Sequence, residues 1–333
     1  METAAPRIVA FDVFMNDALY GPTGFYTSGR GRAGRRGDFI TSPEVGPLFG
    51  AVVARFLDAE WSRIGRPDPF VVVDAGAGPG TLARAVLSAA PRCADAMRYV
   101  AVDVAAHQRA DHPAGIESRA DMPPGPFDGV IIANELLDNL PFRLAVFDGA
   151  WREAFVGQGA DGLAVEHLSA PFRPVPDILP DSAPLGARAP LQDAANRWVD
   201  DARSRLRSGS LVVIDYGTSR TADLAARPWR DWLRTYRGHE RGGHYLAAPG
   251  TQDITSDVCV DQLLSPHAVR TQAQWLQLHG ISDLVAEGRD HWVANAARPD
   301  LAALRMRSRV SESEALLDAA GLGSFLVLEW RAG

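Results

Sequence analysis

Lysine is absent from this sequence, so all 34 of its basic residues are arginine. A Walker-type phosphate loop needs a lysine on the phosphates, and Schiff-base chemistry needs a lysine amine, so both are excluded. Cysteine is scarce, since Cys93 and Cys259 are far apart and form no CxxC pair. We therefore expect neither a disulfide framework nor a zinc site, and we expect a cytoplasmic location, where thiols stay reduced.

Long apolar runs and a net positive charge are also missing. No apolar run approaches the roughly 20 residues that a membrane-spanning helix needs, and the N-terminus lacks the regions of a secretion signal. The net charge of -7 argues against non-specific nucleic-acid binding. We therefore expect no membrane partner and no nucleic-acid partner, while a homodimer stays open.

The hydrophobic pattern predicts an α/β fold. The run PFVVVDAG suits a strand that is buried on both faces of a parallel sheet, and TLARAVLSAA after it suits a helix. Further strands are expected at RYVAVDV, FDGVIIANELL, SLVVIDYG and FLVLEW. Strands and helices that alternate in this way predict a doubly wound, mostly parallel, Rossmann-like sheet.

Four segments are expected along the chain. They are an N-terminal helical or lid segment (1–60), the core (61–216), an inserted substrate or cap region (217–304), and a C-terminal helix and strand that complete the core (305–333). Within the core, residues 143–156 predict a hairpin around Asp148-Gly149, a pair that tolerates positive φ. Residues 191–207 predict an amphipathic helix that stops at Gly209.

The strongest local motif is VVVDAGAGPGTL. A buried strand ends at Asp74, and Gly76, Gly78 and Gly80 then lead into a helix. Glycine is needed here because the backbone must turn tightly and approach a ligand closely. The pattern is G-x-G-x-G rather than the dinucleotide pattern G-x-G-x-x-G, and a carboxylate beside a pyrophosphate would repel it. S-adenosylmethionine (SAM) has no phosphate and carries two positive groups that Asp74 would attract.

Two more acidic residues follow successive strands. Asp103 ends the next strand, where a carboxylate accepts hydrogen bonds from ribose hydroxyls. Asp121 follows a further short strand that is expected between RYVAVDV and FDGVIIANELL, where it or the neighbouring backbone is placed to pair with the adenine amino group. Because ligands bind at the carboxyl edge of an open α/β sheet, the three acids predict nucleoside binding. The alternative is a purely structural glycine turn.

The segment ANELLDNLPF follows another strand of the expected sheet and brings Asn134, Glu135 and Asp138 to the same edge. Two carboxylates here can hold a cationic acceptor such as a guanidinium through bidentate hydrogen bonds. The alternative is that Asp138 or Asn139 caps the next helix, with Pro141 soon after it.

The segment GDFITSPE precedes a helix. By itself it favours an N-cap, with Thr41 or Ser42 before Pro43 and with Glu44 in the first turn.

Two further segments are polar. His239 lies in RGHERGGH, which by itself favours a surface histidine over a base or a substrate contact. The arginine-rich loop 27–36 favours a solvated loop over a lid or a contact with an acidic partner.

In this order, the motifs resemble the MidA-like SAM-dependent methyltransferases, which include a mitochondrial complex I assembly protein that methylates a protein arginine. The resemblance runs from about Phe11 to about Gly280, through GDFITSPE, VVVDAGAGPGTL, YVAVDVAAHQ, ANELLDNLPF, VIDYG, YRGH…APGTQDITSDV and TQAQWLQLHGI. It implies a class I methyltransferase fold with a seven-stranded sheet and extra segments over the site. It also implies SAM as cofactor and S-adenosylhomocysteine (SAH) as product.

The motifs and the resemblance together predict a set of site residues. The predicted cofactor-binding residues are Gly37, Asp38, Thr41, Ser42, Pro43, Glu44, Asp74, Gly76, Ala77, Gly78, Gly80, Asp103, Asp121, Asn134 and Glu135. The predicted catalytic residues are Glu135, Asp138 and His239. Asn139, Phe142 and Ala273 depart from the residues usual in the family, and these departures affect the expected substrate more than the expected cofactor.

Methyl transfer from a sulfonium is an in-line displacement that needs alignment and exclusion of water, and neither a metal nor a covalent enzyme intermediate. The expected acceptor is a protein arginine, whose guanidinium Glu135 and Asp138 would orient. A small-molecule methyltransferase of a biosynthetic pathway and a non-catalytic SAM-binding assembly factor are the alternatives. A nicotinamide oxidoreductase is disfavoured by Asp74 and by the glycine spacing.

Overall fold

A seven-stranded sheet forms the centre of the computed structural model, which describes residues 8–29, 41–238 and 240–333. The described helices are α1 (Phe11–Tyr20), α2 (Ser42–Val45), α3 (Pro47–Arg63), α4 (Thr81–Ser88), α5 (Ala106–Arg109), α6 (Asp193–Ser204), α7 (Thr221–Ala225), α8 (Gln272–Leu278), α9 (Ile281–Asn295) and α10 (Leu301–Leu317). The described strands are β1 (Val9–Ala10), β2 (Phe70–Ala75), β3 (Met97–Val102), β4 (Glu117–Arg119), β5 (Phe127–Asn134), β6 (Arg143–Phe147), β7 (Trp151–Gln158), β8 (Ala164–Pro171), β9 (Arg188–Leu191), β10 (Leu206–Asp215), β11 (Gly217–Thr218), β12 (Leu233–Arg237), β13 (Glu240–Arg241), β14 (Asp253–Ser256), β15 (Val258–Cys259), β16 (Ala268–Thr271) and β17 (Leu326–Ala332).

The central sheet has the strand order β16-β17-β10-β5-β2-β3-β4. The five strands from β10 to β4 run parallel, whereas β17 runs antiparallel to both of its neighbours. Both faces are covered, because Val72 packs in the core with α3 and α4 while Val71 and Val73 pack in the core with α6. The predicted Rossmann-like α/β fold is confirmed. Among the described helices, none combines the length and the apolar character that crossing a membrane requires.

The helix expected at GDFITSPE is divided into two helices. α2 ends at Val45 and α3 begins at Pro47, with extended backbone at Gly46 between them. A Cβ on Gly46 would lie 2.3 Å from Cδ of Glu312, whose Oε2 accepts a hydrogen bond from the Leu48 N–H at 2.8 Å. The carboxylate of Glu312 on α10 therefore caps α3, and glycine leaves room for it.

A second, five-stranded antiparallel sheet lies outside the central one. β1, β7, β6 and β9 pair in that order, and β8 also pairs with β7. The predicted hairpin of residues 143–156 is confirmed, because β6 and β7 pair through Phe147 and Trp151 around Gly149, whose φ is 101°. α1 packs on this sheet through Phe11, Met15 and Leu19.

The end of one helix and the position of one strand differ from the sequence-based expectation. α6 ends at Ser204 and not at Gly209, because Leu206 already pairs with Phe127 in the central sheet. β16 lies inside the predicted insertion 217–304, yet it pairs with β17 at the edge of the central sheet. The insertion therefore contributes a strand to the core.

Candidate functional site

A cavity of about 640 Å³ lies at the carboxyl ends of β2, β3, β4 and β5. Most of the predicted cofactor-binding residues line it, namely Thr41, Pro43, Glu44, Asp74, Gly76, Ala77, Gly78, Asp103, Asp121, Asn134 and Glu135. The predicted residues Gly37, Asp38 and His239 lie outside the described residues. Segments that are far apart in the chain therefore converge on one site.

The glycine-rich turn after β2 curves around one side of the cavity. Gly76, Gly78 and Gly80 have φ values of 73°, 53° and 78°, a conformation that side chains of other residues rarely adopt. A Cβ on Gly76 would lie 3.2 Å from the Leu136 side chain. Gly80 does not line the cavity but is the N-cap residue of α4. The turn thus leaves a concave backbone surface that a bound molecule can approach closely.

Asp74 is a buried acid at the end of β2. Its Oδ2 accepts a hydrogen bond from the Tyr99 hydroxyl at 3.0 Å. Burial raises the pKa of Asp74 to about 7, and repulsion from Asp103 adds to this, although the bond from Tyr99 opposes it. The carboxyl is therefore close to half-ionised near neutral pH, and a cation bound beside it would favour the ionised form.

Asp103 is held rigidly at the end of β3. Its Oδ2 accepts the Gly78 N–H at 2.9 Å and its Oδ1 accepts the Ala105 N–H at 2.8 Å. These two bonds join the glycine turn to the segment before α5. Burial nevertheless raises the pKa of Asp103 above its ordinary value. Asp121, two residues beyond β4, lines the same cavity from an exposed position.

The N-terminal motif forms α2, which begins at Ser42 with Pro43 in its first turn. Thr41 is the N-cap residue, but its hydroxyl makes no capping bond. The Ser42 hydroxyl instead donates to Gln272 Oε1 at 2.7 Å, so Ser42 is buried behind the cavity wall. Glu44 Oε1 accepts from the Thr81 hydroxyl at 2.5 Å, which ties α2 to the start of α4.

Glu135 has the most unusual backbone in the site. Its φ is 52°, an uncommon value for a residue with a side chain and one that concentrates at functional sites. Its carboxylate accepts hydrogen bonds from Asn134 Nδ2 at 3.1 Å and from the Ser42 backbone. Burial, followed by repulsion from Asp138, raises the pKa of Glu135 to about 8.

The structure does not bring Asp138 to the cavity. Asp138 is 4% exposed, and its Oδ2 accepts hydrogen bonds from the hydroxyls of Tyr216 and Thr255. Burial raises its pKa. The predicted contact between Asp138 and an acceptor is therefore corrected: Asp138 is a buried residue held by the two hydroxyls and does not line the cavity.

Sequence reasoning missed one wall of the cavity. Tyr20 and Tyr26 line it, together with Asn139, to which both hydroxyls donate. These contacts join residues more than a hundred positions apart, so no local motif indicates them.

Comparisons with known proteins agree with this geometry. Residues 52–281 match the model of a family described as "putative S-adenosyl-L-methionine-dependent methyltransferase". The chain is 27% identical over 300 residues to the mitochondrial "protein arginine methyltransferase NDUFAF7 homolog" of Drosophila melanogaster. It is 26% identical over 286 residues to the mitochondrial "protein arginine methyltransferase NDUFAF7" of Mus musculus. These alignments cover 78% and 74% of this chain but only 66% and 63% of the two relatives.

Two solved structures share the fold. One is described as a COG1565 superfamily member from Burkholderia thailandensis bound to S-adenosyl-homocysteine. It is 26% identical, has a TM-score of 0.80, and the match covers 97% of this chain and 87% of that one. A native structure of a COG1565 superfamily protein from the same organism is 25% identical with a TM-score of 0.78, over the same shares of the two chains.

The expected cytoplasmic location is contradicted by these comparisons, because the curated relatives are named as mitochondrial proteins. The expectation rested on the scarcity of cysteine, which argues against oxidising compartments but does not distinguish among the others.

Proposed function

Because this chain belongs to that S-adenosyl-L-methionine-dependent methyltransferase family, we propose that it transfers the methyl group of SAM to an arginine side chain of a protein. The names of the curated relatives support an arginine acceptor. The cavity at the carboxyl edge of the sheet supports a nucleoside-containing cofactor.

The residues of the cavity fit SAM. Asn134 Oδ1 is buried there without a hydrogen-bond partner among the described residues, and the left-handed glycines leave open backbone. Asp74 would attract the positive groups of SAM, Asp103 would accept ribose hydroxyls, and Asp121 lies where the adenine is expected. SAM supplies a methyl group activated by its sulfonium.

The observation that carries the arginine proposal is the cluster of buried carboxyl groups around Glu135. Asp138 and Asp215 are buried near it, and Asp253 is buried near Asp138; repulsions within this group contribute to the raised pKa values of its members. The neighbouring cation Arg234 donates to Asp257 at 2.6 Å. A guanidinium that entered the cavity would compensate the buried carboxyl groups, whereas a neutral or anionic acceptor would not.

In the proposed reaction, the chain aligns the acceptor and excludes water. Glu135 accepts hydrogen bonds from the guanidinium and localises its positive charge on the nitrogens that it faces, so the remaining nitrogen keeps a lone pair for in-line attack. The proton that the attacking nitrogen loses then passes to the Glu135 carboxylate. The positive charge of the entering guanidinium lowers the pKa of Glu135, so the carboxyl releases its own proton to solvent as the acceptor binds and is ionised before the attack.

The proposal is tested with methyl-labelled SAM and a lysate of the source cells, with the label located by mass spectrometry. We expect label on arginine of a polypeptide. We expect Glu135→Gln to abolish most of this label while leaving SAM affinity almost unchanged, and Glu314→Gln, an exposed change on α10, to leave both unchanged. Label confined to small molecules, or no label from protein that binds SAM, would contradict the proposal.

A further inference from the structure

Two tyrosines of the N-terminal segment form a stacked pair at the cavity. Tyr20 is the last residue of α1, and Tyr26 follows the turn after it. The N–H groups of Phe25 and Tyr26 donate to the carbonyls of Ala18 and Leu19, both at 2.9 Å, so the turn folds back on the helix. The two tyrosine rings consequently lie 5.6 Å apart with an interplanar angle of 17°.

The hydroxyls of this pair are held by the protein. The Tyr26 hydroxyl lies 3.0 Å from Asn139 Oδ1 and 3.1 Å from Asp253 Oδ1, and the Tyr20 hydroxyl donates to the Asn139 carbonyl at 3.2 Å. Asn139 Nδ2 donates to Asp253 Oδ1 at 2.9 Å and to the Ile254 carbonyl at 3.2 Å. Since the hydroxyls are engaged and the rings stack on each other, the part of the pair that remains for a ligand is the aromatic surface that lines the cavity.

Aromatic rings and a carboxyl group thus share one cavity, because Glu135 lines it as well. The face of a tyrosine ring attracts cations, and a planar guanidinium can stack on the ring while it bonds a carboxylate through two N–H groups. A neutral acceptor of the same shape gains no cation–π attraction, and its hydrogen bonds to the carboxylate lack the assistance of a positive charge.

We propose that Tyr20 and Tyr26 form the acceptor-binding wall of the cavity and, with Glu135, select a guanidinium over a neutral acceptor of the same shape. This subsite rests on the proposed arginine methylation. Asn139 and Asp253 are positioning residues, since they hold the rings through the hydroxyls and do not themselves need to touch the acceptor.

The test measures binding of the peptide acetyl-Gly-Arg-Gly-amide to protein saturated with SAH, beside its neutral citrulline counterpart. We expect Tyr20→Leu and Tyr26→Leu to weaken arginine-peptide binding by about five- to thirty-fold, which corresponds to one cation–π contact in a desolvated site. We expect no change in SAH affinity or in the weaker binding of the citrulline peptide. Tyr20→Phe keeps the ring and should keep most of the arginine-peptide affinity.

A matched control is Phe14→Leu, which changes a partly buried aromatic residue of α1 that packs against the core of the second sheet and does not line the cavity. If a leucine variant fails to fold, fluorinated phenylalanines at positions 20 and 26 keep the shape of the ring and weaken its negative face. Binding of the arginine peptide should then fall stepwise with the number of fluorines.

Three results would overturn the subsite. Unchanged arginine-peptide binding in every ring variant would remove it and leave the proposed arginine methylation standing. An equal loss of SAH affinity would assign the rings to the cofactor instead. Wild-type protein that binds SAH, yet neither binds the arginine peptide nor methylates any arginine, would overturn the proposed function and the subsite with it.

Discussion

Replacing Glu135 by glutamine should make the stability of the cofactor-free protein less dependent on pH. The pKa of Glu135 is about 8 in the folded protein, against about 4.3 for an unperturbed glutamate. Between these values the folded state binds more protons at this site than the unfolded state does. The wild-type protein therefore loses stability as pH rises from about 4.3 to about 8.

The size of the effect follows from the difference between the two pKa values. Each pH unit in this window costs about 1.4 kcal/mol, so the penalty at pH 7 is about 3 to 4 kcal/mol. Glutamine is neutral throughout and keeps one oxygen for the bonds from Asn134 and Ser42, at a cost of about 1 kcal/mol for the lost acceptor. We therefore expect Glu135→Gln to be slightly less stable than wild type at pH 5 and more stable at pH 7 to 8.

Urea unfolding of the cofactor-free protein at pH 5, 6, 7 and 8 measures the difference in free energy of unfolding between variant and wild type. Buried acids that do not interact with Glu135 titrate alike in both proteins, so their contribution cancels in this difference. The pKa of Asp215, which repulsion from Glu135 raises, should fall in the variant, which adds to its gain in stability at neutral pH. Glu314→Gln, which changes an exposed glutamate, should show no pH-dependent difference. A difference for Glu135→Gln that stays constant from pH 5 to pH 8 would refute the raised pKa of Glu135.

Three other changes test separate parts of the structure. Asp103→Asn should weaken SAH binding by about ten-fold, because the ribose hydroxyls lose a charged hydrogen-bond acceptor. Calorimetry measures this affinity, and an unchanged value would show that Asp103 does not bind the ribose. Tyr99→Phe should move the pH dependence of SAM affinity to higher pH than in wild type, because loss of the hydrogen bond raises the pKa of Asp74 further. The titration of SAM itself is the same for both proteins and cancels in the comparison. Gly129→Ala should lower the free energy of unfolding by about 3 kcal/mol or more, because its Cβ would lie 1.8 Å from the Val71 carbonyl oxygen in the central sheet. An unchanged urea midpoint would contradict this.

The central part of the site could be predicted because its signals are local. Three alternate glycines directly after a buried strand indicated a tight turn, and Gly76, Gly78 and Gly80 all have the left-handed conformation. Parallel strands end at the same edge of a sheet, so Asp74 and Asp103 were expected together and both line the cavity. The Rossmann-like fold, the resemblance to the MidA-like methyltransferases and SAM as cofactor are confirmed, while the arginine acceptor is a proposal.

Other features escaped prediction because they depend on distant packing. The boundary between α2 and α3 reflects the Glu312 carboxylate, which reaches Gly46 and Leu48 from α10. The early end of α6 reflects pairing of Leu206 with β5. Nothing in the residues adjacent to each boundary indicates either contact.

The sequence by itself determined which residues reach the edge of the sheet, because burial of a strand on both faces and the glycine turn after it are properties of short segments. Only the tertiary structure decided how those residues are used. It kept Asp138 out of the cavity lining, placed Tyr20 and Tyr26 against Asn139, and buried Asp138 and Asp215 near Glu135. The protonation of a carboxyl group depends on which charges and how much solvent surround it, and those are set by chain segments that meet only when the protein folds.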